Sequence, residues 1–210
     1  MAKTERRYHH GDLRRALMDA ALDTVAEGGV PALSLREAAR RAGVSNAAPY
    51  HHFEGVQALV GALCEEGFAG LDASMRAASE GIDDPGARMV ALGRAYVRFA
   101  VAHPAHYRLM FSVAPKDPML SATDLEALPA FGLMLRQIWA MQAAGLAPRG
   151  DAAPLALMAW SSVHGLASLL LDGPLREGFM GIAPDALDLA LAKVLVDGFA
   201  ATARLRAERG

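Results

Sequence analysis

Apolar side chains recur three and four residues apart along almost the whole chain, and Val and Ile never alternate with polar residues over a useful length. That spacing stacks side chains on one face of a helix, and the missing alternation removes the signature of a strand. Residues 12–27 carry the pattern: Leu13, Ala16, Leu17, Ala20, Ala21, Thr24 and Val25 form one stripe. Gly28-Gly29 then supplies a left-handed stop. Aromatics make up only 6% of a chain that is 53% apolar, a palette of unbranched side chains that lose little rotamer freedom in a helix. The expectation is an all-α protein of about nine helices.

Glycine and proline divide the pattern into elements. A short helix is expected over residues 35–42, with Ser34 as its N-cap and Glu37 three residues on, the pair that makes a capping box. Gly43-Val44-Ser45 reads as a tight turn, with Gly43 supplying a positive φ. A second short helix follows over 46–53, capped by Ser45 or Asn46, and Pro49 must lie in its first turn. Small Ala39 suits a close helix crossing. The second helix carries small or polar residues on its exposed N-terminal side and is narrow enough to enter a groove about 12 Å wide. A long helix should cover roughly 54–80, burying Leu59, Leu63, Phe68 and Leu71. Residues 81–86 (GIDDPG) form the clearest boundary. Helices near 86–102, 104–112, 123–145, 151–171 and 184–208 complete the chain. The organisation expected is a helix-turn-helix domain over 1–54, a connecting helix over 55–80 and a larger helical domain over 81–210.

Charge separates the same parts. Residues 1–53 hold eight Lys/Arg and six Asp/Glu, whereas 54–210 hold thirteen and seventeen, so the N-terminal part is the mildly basic one. With the single cysteine Cys64 no intramolecular disulfide is possible, which fits a reducing, cytoplasmic setting. The first ten residues lack the apolar core of a secretory signal. Residues 152–171 are free of Asp, Glu, Lys and Arg and long enough to span a bilayer. Pro154, Ser161, Ser162, His164 and Ser168 interrupt the stretch and no Lys/Arg cluster flanks it, so it reads as a buried helix of a soluble bundle and no membrane is expected.

The order of these features, a long helix, a Ser-capped helix, a Gly-Val-Ser turn, Tyr50-His51-His52-Phe53 and another long helix, resembles the TetR/AcrR family of bacterial regulators. Trp160-Ser161-Ser162-Val163-His164-Gly165 is similar to the Trp-x-x-x-His-Gly signature of one C-terminal domain type in that family. The resemblance implies a DNA-binding transcriptional regulator, in most cases a repressor, that binds an inverted-repeat operator as a homodimer. It places Ser34 and Arg36 toward backbone phosphates and Ser45, Asn46 and Ala47 toward base edges. Tyr50 takes a position that touches phosphate, with His51 beside it, and Phe53 is a core anchor. Lys3, Arg6 and Arg7 would form a basic arm, which adds sequence-independent affinity. One departure stands out: the family often has a lysine near the start of the fourth helix, where this chain has Glu54-Gly55-Val56-Gln57.

In 151–171 the small residues Ala156, Ala159, Ser162, Gly165 and Ser168 recur every three positions. In 184–208, Leu187, Leu191, Val194, Gly198, Ala201 and Leu205 alternate spacings of four and three, a heptad seam. Two such helices per subunit would make a four-helix dimer interface. Candidate pocket residues for a small, mostly apolar or amphipathic effector come from the middle helices: Met89, Tyr96, Phe99, His103, Tyr107, Met110, Phe111, Met134, Ile138, Met141 and Met158. Methionine adapts its shape to a deformable cavity, and Tyr96, Tyr107 and His103 would orient a polar group.

Other classes are weaker. Ser161 and His164 lie one turn apart with no acid or oxyanion donor to complete a triad, and Glu65 and Glu66 beside Cys64 disfavour a thiolate, so no catalytic residue is assigned. His103 and His106 are the only metal-like spacing, without a cysteine cluster, so no metal or cofactor is expected. A helical DNA-binding protein that needs no ligand is the main alternative, because its first 80 residues would read the same way.

Overall fold

The computed structural model describes residues 10–112 and 129–208. Within them lie eight α-helices: α1 (His10–Gly28), α2 (Leu35–Arg41), α3 (Val56–Ser79), α4 (Pro85–Ala102), α5 (Pro104–Ser112), α6 (Pro129–Ala143), α7 (Ala153–Asp172) and α8 (Pro184–Ala207). Two short 3-10 helices, Val30–Ala32 and Ala48–His51, join the elements of the N-terminal part. Among the described residues no strand forms beyond an isolated bridge between Phe179 and Ile182. The Lys3-Arg6-Arg7 arm and the first part of the helix expected over 123–145 lie outside the described residues.

The chain forms two compact units. The first comprises residues up to Gly67 together with the α5 segment from Pro104, and the second comprises Phe68–His103 and the chain from Asp117 on. The division falls within α3.

In the first unit the stripe on α1 is buried as its periodicity requires: Leu17, Ala21 and Val25 are fully enclosed, with Leu35, Ala38 and Ala39 of α2 and with Phe53, Leu59 and Leu63. Each enclosed Leu or Val contributes about 1.5–3 kcal/mol relative to an exposed one. The α1 stop is steric as well as conformational: a Cβ on Gly28 would stand 2.8 Å from the Ala32 Cβ, and Gly29 has φ 73°. Helix α5 joins the same core through Ala105, Tyr107, Leu109 and Met110. A Cβ on Gly67 would lie 2.6 Å from the Met110 sulfur, so this pair of helices approaches as closely as it does because α3 has no side chain there.

In the second unit α4 is central, packing against α6, α7 and α8. Asp84 caps it, accepting from the Ala87 N–H, and Pro85 occupies the first turn. Gly93 marks a close crossing, since a Cβ there would meet Val163 of α7 at 3.3 Å and Ala192 of α8 at 3.6 Å. Met89, Leu92, Tyr96, Phe99, Met134, Ile138, Met141, Val163 and Phe199 fill the space around it.

Candidate nucleic-acid interface and sensor core

The candidate reading face is built on the pair α2 and the turn that follows it. Ser34, in extended backbone, accepts the Glu37 N–H at 3.1 Å, which satisfies one of the orphan donors at the start of α2. Only this half of the expected capping box forms. The Glu37 carboxylate points the other way, to Arg40 and Arg41 of its own helix, with contacts of 2.6 to 2.8 Å. Arg40 first, then Arg41, holds the Glu37 carboxyl down at about 2. Arg41 also reaches Glu27 on α1 at 2.6 Å, which ties the two helices across the Gly29 corner. Gly43 has the positive φ of 68° the turn requires.

The second short element differs from expectation. Residues 46–47 form a turn and only Ala48–His51 is helical, as a 3-10 helix. Its N-cap is Ala47, with no side-chain cap from Ser45 or Asn46. The reason is Pro49. Lacking an N–H, it cannot donate to the Ser45 carbonyl, which takes the Ala48 N–H instead at 3.0 Å. Tyr50 and His52 likewise donate three residues back, to Ala47 and Pro49, and this spacing is the tighter winding of a 3-10 turn. The ring of Pro49 and the side chain of Phe53 are buried, so the element is anchored from below. The Arg14 guanidinium lies 5.3 Å from the centre of the Phe53 ring. Above that anchor Ser34, Arg36, Ser45, Asn46, Ala47, Tyr50 and His51 are all exposed. Tyr50 is 60% exposed, high for an aromatic with no polar role inside the fold.

The second unit sorts the effector candidates differently. Met89, Tyr96, Phe99, Met134, Ile138 and Met141 are buried there together, and His103, at the end of α4, is exposed and lies 4.8 Å from the Phe99 ring. Tyr107, Met110 and Phe111 belong to the first unit instead, with Tyr107 and Phe111 packed ring to ring at 4.9 Å. Met158 is exposed on α7. The gap enclosed by Met89, Gly93, Met134, Ala159, Val163, Ala192, Leu195 and Phe199 measures about 10 Å³, room for about one water molecule. Two of the eleven candidates, Met89 and Met134, line it. Tyr96 and His164 of this unit satisfy each other. The Tyr96 hydroxyl lies 2.9 Å from Nδ1 of His164, and Trp160 packs on the same imidazole at 5.2 Å and edge-on to Phe131 at 6.4 Å. Burial holds the His164 pKa below its ordinary value.

The residues expected at a subunit interface divide in two. Ala159 and Leu187 are buried within the chain itself, because α7 and α8 each turn one side toward α4. Ser162, Gly165, Ser168 and Leu191 are half-buried, whereas Val194, Gly198 and Ala201 are exposed. Leu157, Met158, Leu169 and Leu205 extend this uncovered apolar surface, and Val194 is 69% exposed. Helix α7 is long and apolar enough to cross a membrane by length and composition, and 39% of that stretch is buried within the chain. The expectation of a buried helix thus holds for one side of α7 only.

Two family models match the sequence. Residues 17–63 match the bacterial regulatory proteins of the tetR family, and residues 89–197 match the tetracyclin repressor-like C-terminal domain.

The chain belongs to the TetR family.

The C-terminal match spans more than half the residues of this TetR-family chain. Solved structures agree. A protein of unknown function from Rhodococcus sp. RHA1 is 40% identical, with 93% of this chain and 100% of that one covered and a TM-score of 0.76. The TetR-family regulator PfmR from Thermus thermophilus shares the fold at 20% identity, with 86% and 96% covered and a TM-score of 0.67. The fatty acid degradation regulator FadR from Bacillus halodurans shares it at 15% identity, with 91% and 98% covered and a TM-score of 0.73. No curated protein matches the sequence.

Three polar clusters of this TetR-family chain escape a reading of sequence alone. Glu66 of α3 accepts from Arg15 of α1 and lies 3.0 Å from His106 of α5. Burial pushes its carboxyl up, but these two partners outweigh it and leave the group below its ordinary value. Asp188 of α8, only 3% exposed, meets Arg98 at 2.9 Å and Arg94 at 3.4 Å, both on α4. The third is the Tyr96–His164 pair. In each case the partners lie forty or more residues apart, so no local spacing signals them. Cys64 is buried, and its thiol is pushed up to about 11 by that burial and by Glu65.

Proposed function

We propose that this TetR-family protein is a cytoplasmic, ligand-responsive repressor that binds an inverted-repeat operator as a homodimer and leaves it when a small effector occupies the C-terminal unit. The observation that carries the DNA-binding reading is the exposed set Ser45, Asn46, Ala47, Tyr50 and His51, held over the buried Pro49 and Phe53. A tyrosine and an asparagine left uncovered on a rigid small element serve phosphate contact and base readout respectively. Ser34 and Arg36, exposed at the start of α2, add phosphate contacts at a helix N-terminus, and Arg6 and Arg7 complete the footprint from the arm. The role is that of a binding module and not of a catalyst.

Self-association is supported by the uncovered apolar surface of α7 and α8. Contiguous exposed Leu, Met and Val on paired helices mark an interaction surface, and a two-fold dimer matches the symmetry of a palindromic site with half-sites about 34–36 Å apart. Effector release requires only that the ligand favour the low-affinity state, and DNA must then weaken ligand binding by the same factor. The alternative, a regulator that needs no ligand, draws support from the nearly filled methionine core.

Selection of genomic fragments by the purified dimer tests the reading. A short inverted repeat bound at about nanomolar affinity, weakening as salt rises, is the expected result. Binding with no preference over random DNA refutes it.

A further inference from the structure

A sizeable cavity of the second unit lies away from the methionine core. A groove of about 690 Å³ opens between the end of α3, the start of α4 and α6, within the size range of small-molecule sites. Three guanidinium groups line it: Arg76, Arg88 and Arg136, against one carboxylate, Glu80. Arg76 spends its Nε on Asp72 at 2.7 Å, and Arg88 spends its Nε on the Ile82 carbonyl at 2.7 Å. The two outer nitrogens of each stay available. Among the described residues neither Arg88 nor Arg136 has a carboxylate within ion-pair distance. The floor is apolar at Leu92 and Leu133, and Gln137 closes it. Gln137 is only 4% exposed, and its Nε2 is committed to the Pro85 carbonyl at 2.7 Å, so the amide is held in place by the chain turn that starts α4.

We propose that this groove binds a small amphipathic anion, with an oxyanion head on Arg88 and Arg136 and a hydrocarbon body against Leu92 and Leu133. A planar guanidinium presents paired donors that fit a carboxylate or phosphate edge. Two such groups without counter-ions over an apolar floor favour a ligand that carries both features, whereas a neutral apolar molecule would leave both cations unpaired. The inference deepens the effector reading above by naming the effector's chemistry, and it moves the site from the filled core to the groove.

Calorimetric titration of the full-length protein with octanoate, octyl phosphate, inorganic phosphate and octanol tests it, the first two arms separating carboxylate from phosphate heads. At least one of the two amphipathic anions should bind, octanol and inorganic phosphate should bind at least tenfold more weakly, and added salt should lower the affinity. Arg136→Ala and Arg88→Ala should each weaken the anion about tenfold, the loss of one charge-assisted hydrogen bond. Arg149→Ala, exposed and outside the groove, should change nothing. Arg136 is exposed, so its removal leaves the core filled, and an unchanged melting temperature verifies this. Failure of both anions to bind, equal binding of octanol, or equal affinities for the Arg136 and Arg149 variants overturns the proposal. Operator affinity measured in parallel separates the two readings. Anion binding without DNA release keeps the groove and removes the effector role. Release by some other molecule, with no anion binding, does the reverse.

Discussion

The Tyr96 hydroxyl and Nδ1 of His164 lie 2.9 Å apart, in a part of the second unit where burial disfavours protonation of the imidazole. Folding therefore lowers the pKa of this histidine. The unfolded chain protonates it near its ordinary value of about 6.5, the folded chain only at lower pH. Its full contribution to stability is present above that value and is lost as pH falls through it toward the folded pKa. The melting temperature should drop between about pH 7.5 and 5.5, and His164→Gln should flatten part of that drop. Wild-type and variant curves of equal slope would remove His164 as a cause.

On DNA, Tyr50→Ala should weaken every sequence alike, because a phosphate contact carries no base information. Asn46→Ala should instead lower discrimination at one base pair of each half-site, by about 1–3 kcal/mol. Affinities for an operator and for single-base variants of it distinguish the two patterns. Uniform loss with Asn46→Ala would place that residue on the backbone.

Gly165→Leu and Gly198→Leu should dissociate the proposed dimer. A Cβ on either glycine meets nothing within 4 Å inside the chain, so a leucine is accommodated by the isolated fold and obstructs only a second helix from outside. Light scattering should report a monomer of unchanged helicity, with operator binding lost because one half-site makes too few contacts. A dimer that survives both changes would move the interface off this surface.

Met134→Trp is expected to destabilise the core and lower the melting temperature, not to reshape a pocket. The neighbouring gap holds about 10 Å³, far less than the added ring, and overpacking of this kind costs typically about 1–3 kcal/mol. A melting temperature at or above wild type would reveal a hidden cavity around Met134.

The Asp188 pair should respond asymmetrically. Asp188→Ala leaves two cations that solvent can reach, with a loss of about 1.5–3 kcal/mol in hydrogen bonds to charge. The double change Arg94→Ala and Arg98→Ala leaves a carboxylate stranded inside the unit, and breaking a buried pair that way costs about 3–5 kcal/mol. Denaturant melts that rank the two the other way would contradict this account.

Local chemistry was the legible part of this chain. Ser34 as a cap, Gly43 at positive φ and the breaks at Gly29, Pro85 and Pro104 depend on neighbours within four residues, and each stands where the sequence places it. Pro49 was legible as a helix start but not as the cause of a 3-10 turn, since its missing donor matters only once the Ser45 carbonyl finds the Ala48 N–H. Periodicity also says that a face is buried without saying against what. Tyr107 and Met110 read as sensor residues, yet they pack in the first unit, and Leu187 turns inward from a seam that reads as continuous. The Arg88–Arg136 groove was invisible because its residues come from helices that only folding brings together.

The first unit is interrupted in the chain: α5 completes it, but residues 68–103 of the other unit come between. During translation the Gly67 notch is made well before the Met110 side chain that fills it. At about 5–20 residues per second the wait is roughly two to nine seconds. For that interval the nascent reading head carries an open apolar seam, and a ribosome stalled before Pro104 would hold a helix-turn-helix that cannot close its own core. The first unit is thus completed only after residues 68–103 of the second have been synthesised.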